Sequence, residues 1–270
     1  MVDERATSGI GDADRVSIFG NTVANLTESE ALEWLERGVQ PHKSRKMYIV
    51  NAHTLNTAAS DPAYAAVLRR ADLVVGDGTG VRLAARVRGV RMKANLVGTD
   101  LMPNFFAATA GRGYRCFLLG ADADSIERAA DYFRRNFPGW ILAGYHHGYM
   151  TAENIDSVIA AINEAAPELL LVGMGNPLQE TWIDTHAAAI DVGVSVGVGG
   201  LFDHWGGNLK RAAPWVRRIG FEWVQLLLQQ PHKARRYLVG NGVFLWRTAR
   251  TRSSDLRLTS AAGGGRGSSD

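Results

Sequence analysis

Short apolar runs alternate with stretches of helical period along most of this chain, and that alternation restricts the fold more than any other feature. The runs are "VSIF" (16–19), "MYIV" (47–50), "LVV" (73–75), "CFLL" (116–119), "ILAGY" (141–145), "LLLV" (169–172) and "VSVGV" (194–198). They are almost continuously apolar and rich in Leu and β-branched residues, the pattern of strands buried on both faces. Between them lie helix-like segments. "TESEALEWLERG" opens with Thr27 as N-cap and Glu30 three residues later, a capping box, and stops at Gly38. "DPAYAAVLRRA", "TDLMPNFFAATAGRG", "DSIERAADYFRRNFPG" and "TAENIDSVIAAINEAAP" follow the same grammar. A β-α-β-α order implies an α/β fold: a Rossmann-like, mostly parallel sheet with helices on both faces.

The 270 residues, 46% of them hydrophobic, suffice for one large α/β domain with an appendage or for two small domains. We expect a disordered N-terminus (1–14), a catalytic core (15–204), a basic helical appendage (205–250) and a disordered Gly/Ser-rich tail (251–270). On this reading every strand and its covering helices precede residue 205. Cys116 is the one cysteine and lies in an apolar run, so it is expected to be a buried small hydrophobe. "MVDERATSGIGDAD" has no basic-then-apolar leader pattern, and no apolar run approaches the roughly 20 residues of a membrane span. A cytoplasmic location is expected.

Charge is distributed unevenly. Residues 204–252 hold ten Lys or Arg against one acid, Glu222, and leave the remainder with 20 basic and 26 acidic residues. The same segment carries Trp205, Trp215, Trp223 and Trp246. Its targets could be a phosphate-bearing substrate, an anionic membrane or a nucleic acid. Charge alone favours the ordinary reading, a solvated basic helix face.

Ligands of such sheets bind at the carboxyl ends of the strands. Polar or glycine-rich residues stand there in this sequence: Asn51, Asp77, Gly120, His146 with His147, "GMGNPLQE" (173–180) and "GVGGLFDHWGG" (197–207). Gly173 and Gly175 let backbone N–H groups approach a ligand, Pro177 suits a first helical turn, and Asn176 and Gln179 accompany them, with Gln179 expected to face the crevice. Gly199, Gly200 and Asp203 belong to a loop denser in glycine than a turn requires, which could wrap a flat or anionic ligand or merely lead to the appendage. Asp77, between Gly76 and Gly78, is open to a substrate and could serve as general base toward a hydroxyl; the ordinary alternative is an Asx turn feeding the next helix. Adjacent histidines point to opposite faces of a strand, so a zinc site at His146–His147 is not expected. Asp12/Asp14 and Asp122/Asp124 are D-x-D pairs, but they read as a polar terminus and a helix cap rather than as buried strand ends. No metal and no cofactor are therefore expected.

Several stretches together are highly specific. "NAHTLNTAASDPAYAAVLRRADLVVGDGTGV" (51–81), "VGTDLMP" (97–103), "LLLVGMGNPLQE" (169–180), "GVGGLFDHWGGNLKRAAPWVRRIGFEWV" (197–224) and "QQPHKARRYLVGN" (229–241) resemble, in order, the TagA/WecG/CpsF glycosyltransferases, glycosyltransferase family 26. The likeness spans roughly residues 15 to 246. It implies a GT-E type fold and an inverting, metal-independent transfer of a sugar from a UDP-sugar to a polyprenyl-diphosphate-linked saccharide. The expected location is peripheral, on the cytoplasmic face of the cell membrane. The family's base maps onto Asp77, its strand-end Asn onto Asn51 and its pocket Gln onto Gln179. Its C-terminal arginines, which meet the diphosphate, map onto the stretch holding Lys233, Arg235 and Arg236. Lys210 and Arg211 are expected to assist them, and Trp215 and Trp223 to seat the appendage at the membrane. The chain differs from the family's common pattern at Ile49, Asn95, Leu226 and Gln230. No nucleic-acid partner is expected, and homo-oligomerisation stays open. Two rival readings are a nucleotide kinase using "GDGTG", and a membrane- or nucleic-acid-binding module with an idle α/β domain.

Overall fold

Side chains that alternate across the central strands build two cores, one on each face of a single sheet. In β3 (Arg45–Val50), Met47 and Ile49 join one core while Tyr48 and Val50 join the other. In β7 (Leu169–Gly173), Leu169 and Leu171 part from Leu170 and Val172 in the same way. The computed structural model describes residues 14–39, 44–210, 222–229 and 234–250. Its other strands are β1 (Arg15–Ile18), β2 (Asn21–Ala24), β4 (Leu73–Gly76), β5 (Arg115–Gly120), β6 (Ile141–His146) and β8 (Val194–Gly197), in the order β1-β2-β4-β3-β8-β7-β5-β6. All neighbours are parallel except β1 and β2. The expected mostly parallel α/β sheet is present.

One core is covered by α1 (Glu28–Gly38), α5 (Gly98–Ala108), α6 (Ala123–Asn136) and α9 (Leu201–Trp205). The other lies under α2 (Ala52–Ser60), α3 (Pro62–Arg69), α4 (Gly78–Val87), α7 (Ile155–Ala165) and α8 (Leu178–His186). Two further helices, α10 (Glu222–Gln229) and α11 (Ala234–Arg250), follow. At the adjacent strands β3 and β8 the chain leaves toward opposite faces, to α2 from one and to α9 from the other. That is a topological switch point, where an open α/β sheet forms its crevice.

Four sequence expectations need correction. A strand after "VSIF" is absent from the sequence reading, yet β2 pairs antiparallel with β1 through a turn at Phe19 (φ 51°) and Gly20 (φ 77°); two positive φ values match the twist of a two-residue hairpin. The β6 strand is not buried on both faces, because it lies at the sheet edge with Ile141 and Tyr145 exposed. The boundary at residue 205 cuts into the core: Trp205 is buried and stacks on Tyr132 at 5.6 Å. Nor do all covering helices precede it. Helix α11 packs on α2 and α4, and its Phe244 is buried in the second core with its ring 5.3 Å from Phe19.

Cys116 is buried, and burial pushes its thiol well above the usual range. Arg211, Trp215, Lys233, Gln230 and both expected disordered ends (apart from Asp14) lie outside the described residues; Trp223, Leu226, Arg235 and Arg236 enter only as positions on α10 and α11. Among the described residues no helix is long and apolar enough to cross a membrane.

Candidate active site

The carboxyl ends of the strands open into a cavity of about 1040 Å³. Asn51 reaches it from the end of β3. Its Oδ1 caps α2, accepting from the backbone N–H of His53 at 3.0 Å and of Thr54 at 3.2 Å, while Thr54 Oγ1 accepts from Asn51 N. This box fixes the carboxamide and leaves its amide nitrogen as the group offered to a ligand.

Asp77 stands one strand away, at the N-cap position of α4, and also lines the cavity. Aspartate there ordinarily turns back to bind its own helix, but Asp77 makes no such bond. Asn95 takes over, its Oδ1 accepting from Gly78 N at 2.7 Å. An Asx turn is thus not the role of this carboxylate. The glycines beside it have separate reasons. A Cβ on Gly76 would sit 2.6 Å from Val81 Cγ1, and Gly78 has a φ of 89°.

The end of β7 and the loop after it supply Gly173, Gly175 and Asn176 to the cavity wall, and the Asn176–Pro177 peptide is cis. Gln179 does not face the crevice. It is fully buried, its Nε2 donates to Glu180 Oε1 at 2.8 Å, and its Oε1 accepts from Gly199 N at 3.0 Å. It therefore ties the two glycine loops together. Glu180, which the sequence reading passed over, is the hub beneath them. It accepts from Asn176 Nδ2 and Gln179 Nε2 on one oxygen and from Tyr64 Oη on the other. Burial raises the Glu180 pKa above the usual glutamate range, although the bonds from Gln179, Tyr64 and Asn176 pull it back in part. Burial and the neighbouring Glu180 push the Tyr64 phenol upward, so that it stays a donor.

On the opposite side of the crevice stand Gly199, Gly200, Asp203 and His204 from the loop and helix after β8. Asp122 also lines the cavity; it caps α6 as expected, accepting from Ser125 N at 2.8 Å, but it follows the buried strand β5 closely, contrary to the sequence reading. His146 and Gly120 do not line the cavity. His146 Nδ1 meets the carbonyl of His147 at 2.7 Å, and a Cβ on Gly120 would lie 2.3 Å from Gly173 O. Lys210 is exposed and outside the wall; its backbone is clipped to Gln225 and Gln229 of α10. Gly240, Asn241, Gly242, Phe244 and Leu245 of α11 complete the wall; the resemblance implies cations of this segment at the site, and the described wall holds these uncharged residues of it. Two departures from the family pattern, Ile49 and Asn95, are cavity residues. Among the described residues no Lys or Arg lines the cavity, and no group of three or more His, Cys, Asp or Glu is arranged to hold a metal ion.

A mostly parallel sheet that opens at its switch point, with two glycine loops tied by the buried Gln179, places the protein among the Rossmann-like α/β proteins. A sequence model of the "Glycosyl transferase WecG/TagA/CpsF family" matches residues 16–257. A relative from Bacillus spizizenii is 33% identical over 181 residues, 67% of this chain and 70% of its own. One from Staphylococcus aureus strain MW2 is 28% identical over 253 residues, 93% of this chain and 96% of its own. A third, from Bacillus subtilis strain 168, is 31% identical over 189 residues, 70% and 73% of the two chains. All three are named N-acetylglucosaminyldiphosphoundecaprenol N-acetyl-beta-D-mannosaminyltransferase. The chain belongs to the WecG/TagA/CpsF glycosyl transferase family and is a glycosyltransferase.

Proposed function

We propose that this enzyme moves a sugar from a UDP-sugar to a polyprenyl-diphosphate-linked saccharide, inverting the anomeric centre and using no metal, at the inner face of the cell membrane. The acceptor class follows the names of the relatives. The observation that carries the mechanism is Asp77, a cavity-lining carboxylate at a strand end whose helix is capped by Asn95 instead. Asp77 takes the proton of the acceptor hydroxyl as that oxygen bonds to the anomeric carbon. The bond from this carbon to the diphosphate oxygen breaks, and its electron pair leaves with UDP. A single displacement of this kind inverts the centre. Asn51 orients the sugar or the acceptor. Gln179 acts as a positioning residue, because its bond to Gly199 N sets the distance between the two glycine loops. Arg211, Lys233, Arg235 and Arg236 offset the charge of the departing diphosphate.

Asp77→Asn tests this reading. Turnover should fall roughly 10²–10⁴-fold, the usual worth of a general base, with donor affinity and melting temperature close to wild type. Near-wild-type turnover would remove Asp77 from the mechanism.

A further inference from the structure

The two lips of the cavity differ in chemistry. Asn95, Thr99, Asp122, Asp203 and His204 line it on the side of α5, α6 and α9. On the side of the other core, where the half-buried Asn51, His53, Asp77 and Asn176 also line the cavity, four large apolar side chains stand open to water. Leu83 of α4 is 42% exposed, Leu178 of α8 66%, Leu245 of α11 50%, and Tyr149, in the loop after β6, 75%. Exposed leucines scattered singly over a surface need no explanation. These four come from four separate segments and converge on one opening, and convergent apolar exposure marks a binding surface. Leu178 opens α8, where a polar residue would serve as well, while the polar Gln179 and Glu180 turn inward.

We infer that this apolar lip holds the first isoprene units of the acceptor's lipid, next to its diphosphate. The inference rests on the proposed acceptor class and adds to it the surface that tells a prenyl diphosphate from a plain one. A prenyl chain leaving the cavity must cross one of the two lips. Crossing the lip that carries Asp122 and Asp203 would desolvate their charge against hydrocarbon. Crossing the other removes leucine and isoprene surface from water together. The lip also explains why α11 reaches the cavity: Leu245 extends the apolar edge that Leu83 begins.

Two readouts separate this inference from the proposal beneath it. The first is binding, measured by calorimetry on the full chain with geranyl diphosphate and methyl diphosphate as probes. Geranyl diphosphate should bind about 10-fold tighter, the worth of burying a modest apolar area. The double variant Leu178→Ser with Leu245→Ser should lose that preference, and Leu178→Met with Leu245→Met should restore it. Leu228→Ser, at an exposed leucine of α10 away from the opening, should keep it. The second readout is the ratio of kcat/KM for N-acetylglucosaminyl diphosphate bearing a geranyl tail to that for the methyl analogue, which should collapse in the same double variant. Equal binding of the two probes by the wild type, or an unchanged preference in the double variant, overturns the lip. So does a defect seen only with vesicle-borne acceptor, which would make these residues a membrane contact. If the wild type prefers geranyl diphosphate but transfers no sugar from any UDP-sugar, the proposed reaction fails and the prenyl-binding lip stands.

Discussion

Asp77 and Asn95 divide between them work that one residue ordinarily does. The cap of α4 comes from a side chain 17 positions away, so the carboxylate at the strand end is not spent on its helix. Asn95→Ala should therefore cost about 1 kcal/mol, the usual worth of a cap, and should also lower turnover as Asp77 turns to bind the orphaned N–H groups. Urea midpoints and kcat, measured together, check both. Glu180 makes a different prediction. Burial raises its pKa in the folded protein. The stability it contributes is then complete below the ordinary glutamate value and is lost as pH rises through the folded value. Glu180→Gln should abolish that part of the pH dependence in a series of urea titrations starting near pH 4, whatever its cost at any single pH. The strand-end position of Asp77 was legible in the sequence because glycines bracket it at the end of an apolar run. Gln179 was misread for a definable reason. Neighbouring helix positions point about 100° apart, and hydropathy assigns Leu178 to the interior and Gln179 to the crevice. The buried hub of Glu180, Asn176 and Tyr64 reverses that assignment, and no local pattern reveals it.

Among the elements, α11 departs most from the sequence reading. Lopsided charge suggested an appendage, and the helix does carry basic residues and an exposed Trp246. A second stripe, Gly240, Phe244 and Thr248 at intervals of four, faces inward; the latter two are buried. The backbone is held as well: Asn56 Nδ2 donates to Gly240 O at 2.7 Å, and Arg247 Nη1 donates to Asn56 O at 2.7 Å. One aromatic on a basic helix carries little signal against ten cations, which is why this layer was missed. Phe244→Ala should destabilise the whole protein by about 3 kcal/mol, read as a shift in the urea midpoint. A detachable appendage would show no shift. The β1–β2 hairpin was missed for a related reason, since "NTVA" owes its place to pairing with β1 and not to its own hydropathy.

At the scale of the whole molecule, the sheet was readable because parallel strands buried on both faces write nearly pure apolar runs. The strand order could not be read, since it depends on which crossovers the helices take. Charge distribution is a property of the same scale. Carboxylates line the described cavity wall, while the cations concentrate in residues 204–252. We expect Arg235→Ala with Arg236→Ala to cut turnover on a soluble acceptor, and wild-type turnover to survive excess EDTA. Loss of activity in EDTA, restored by Mn²⁺, would assign the counter-charge to a metal.

The wall that α11 gives the cavity also sets an order of events. Asn51 and Asp77 come early in the order of synthesis, yet the chamber around them lacks a side until residues 240–245 have been added. A stop codon or a protease cut before residue 234 would spare every strand and every glycine loop. It would also leave the second core without Phe244 and the cavity without the edge that Leu245 provides. The chamber is thus closed only after residue 245 has been added, and a nascent chain can hold the strand-end carboxylate of Asp77 before it can enclose a ligand.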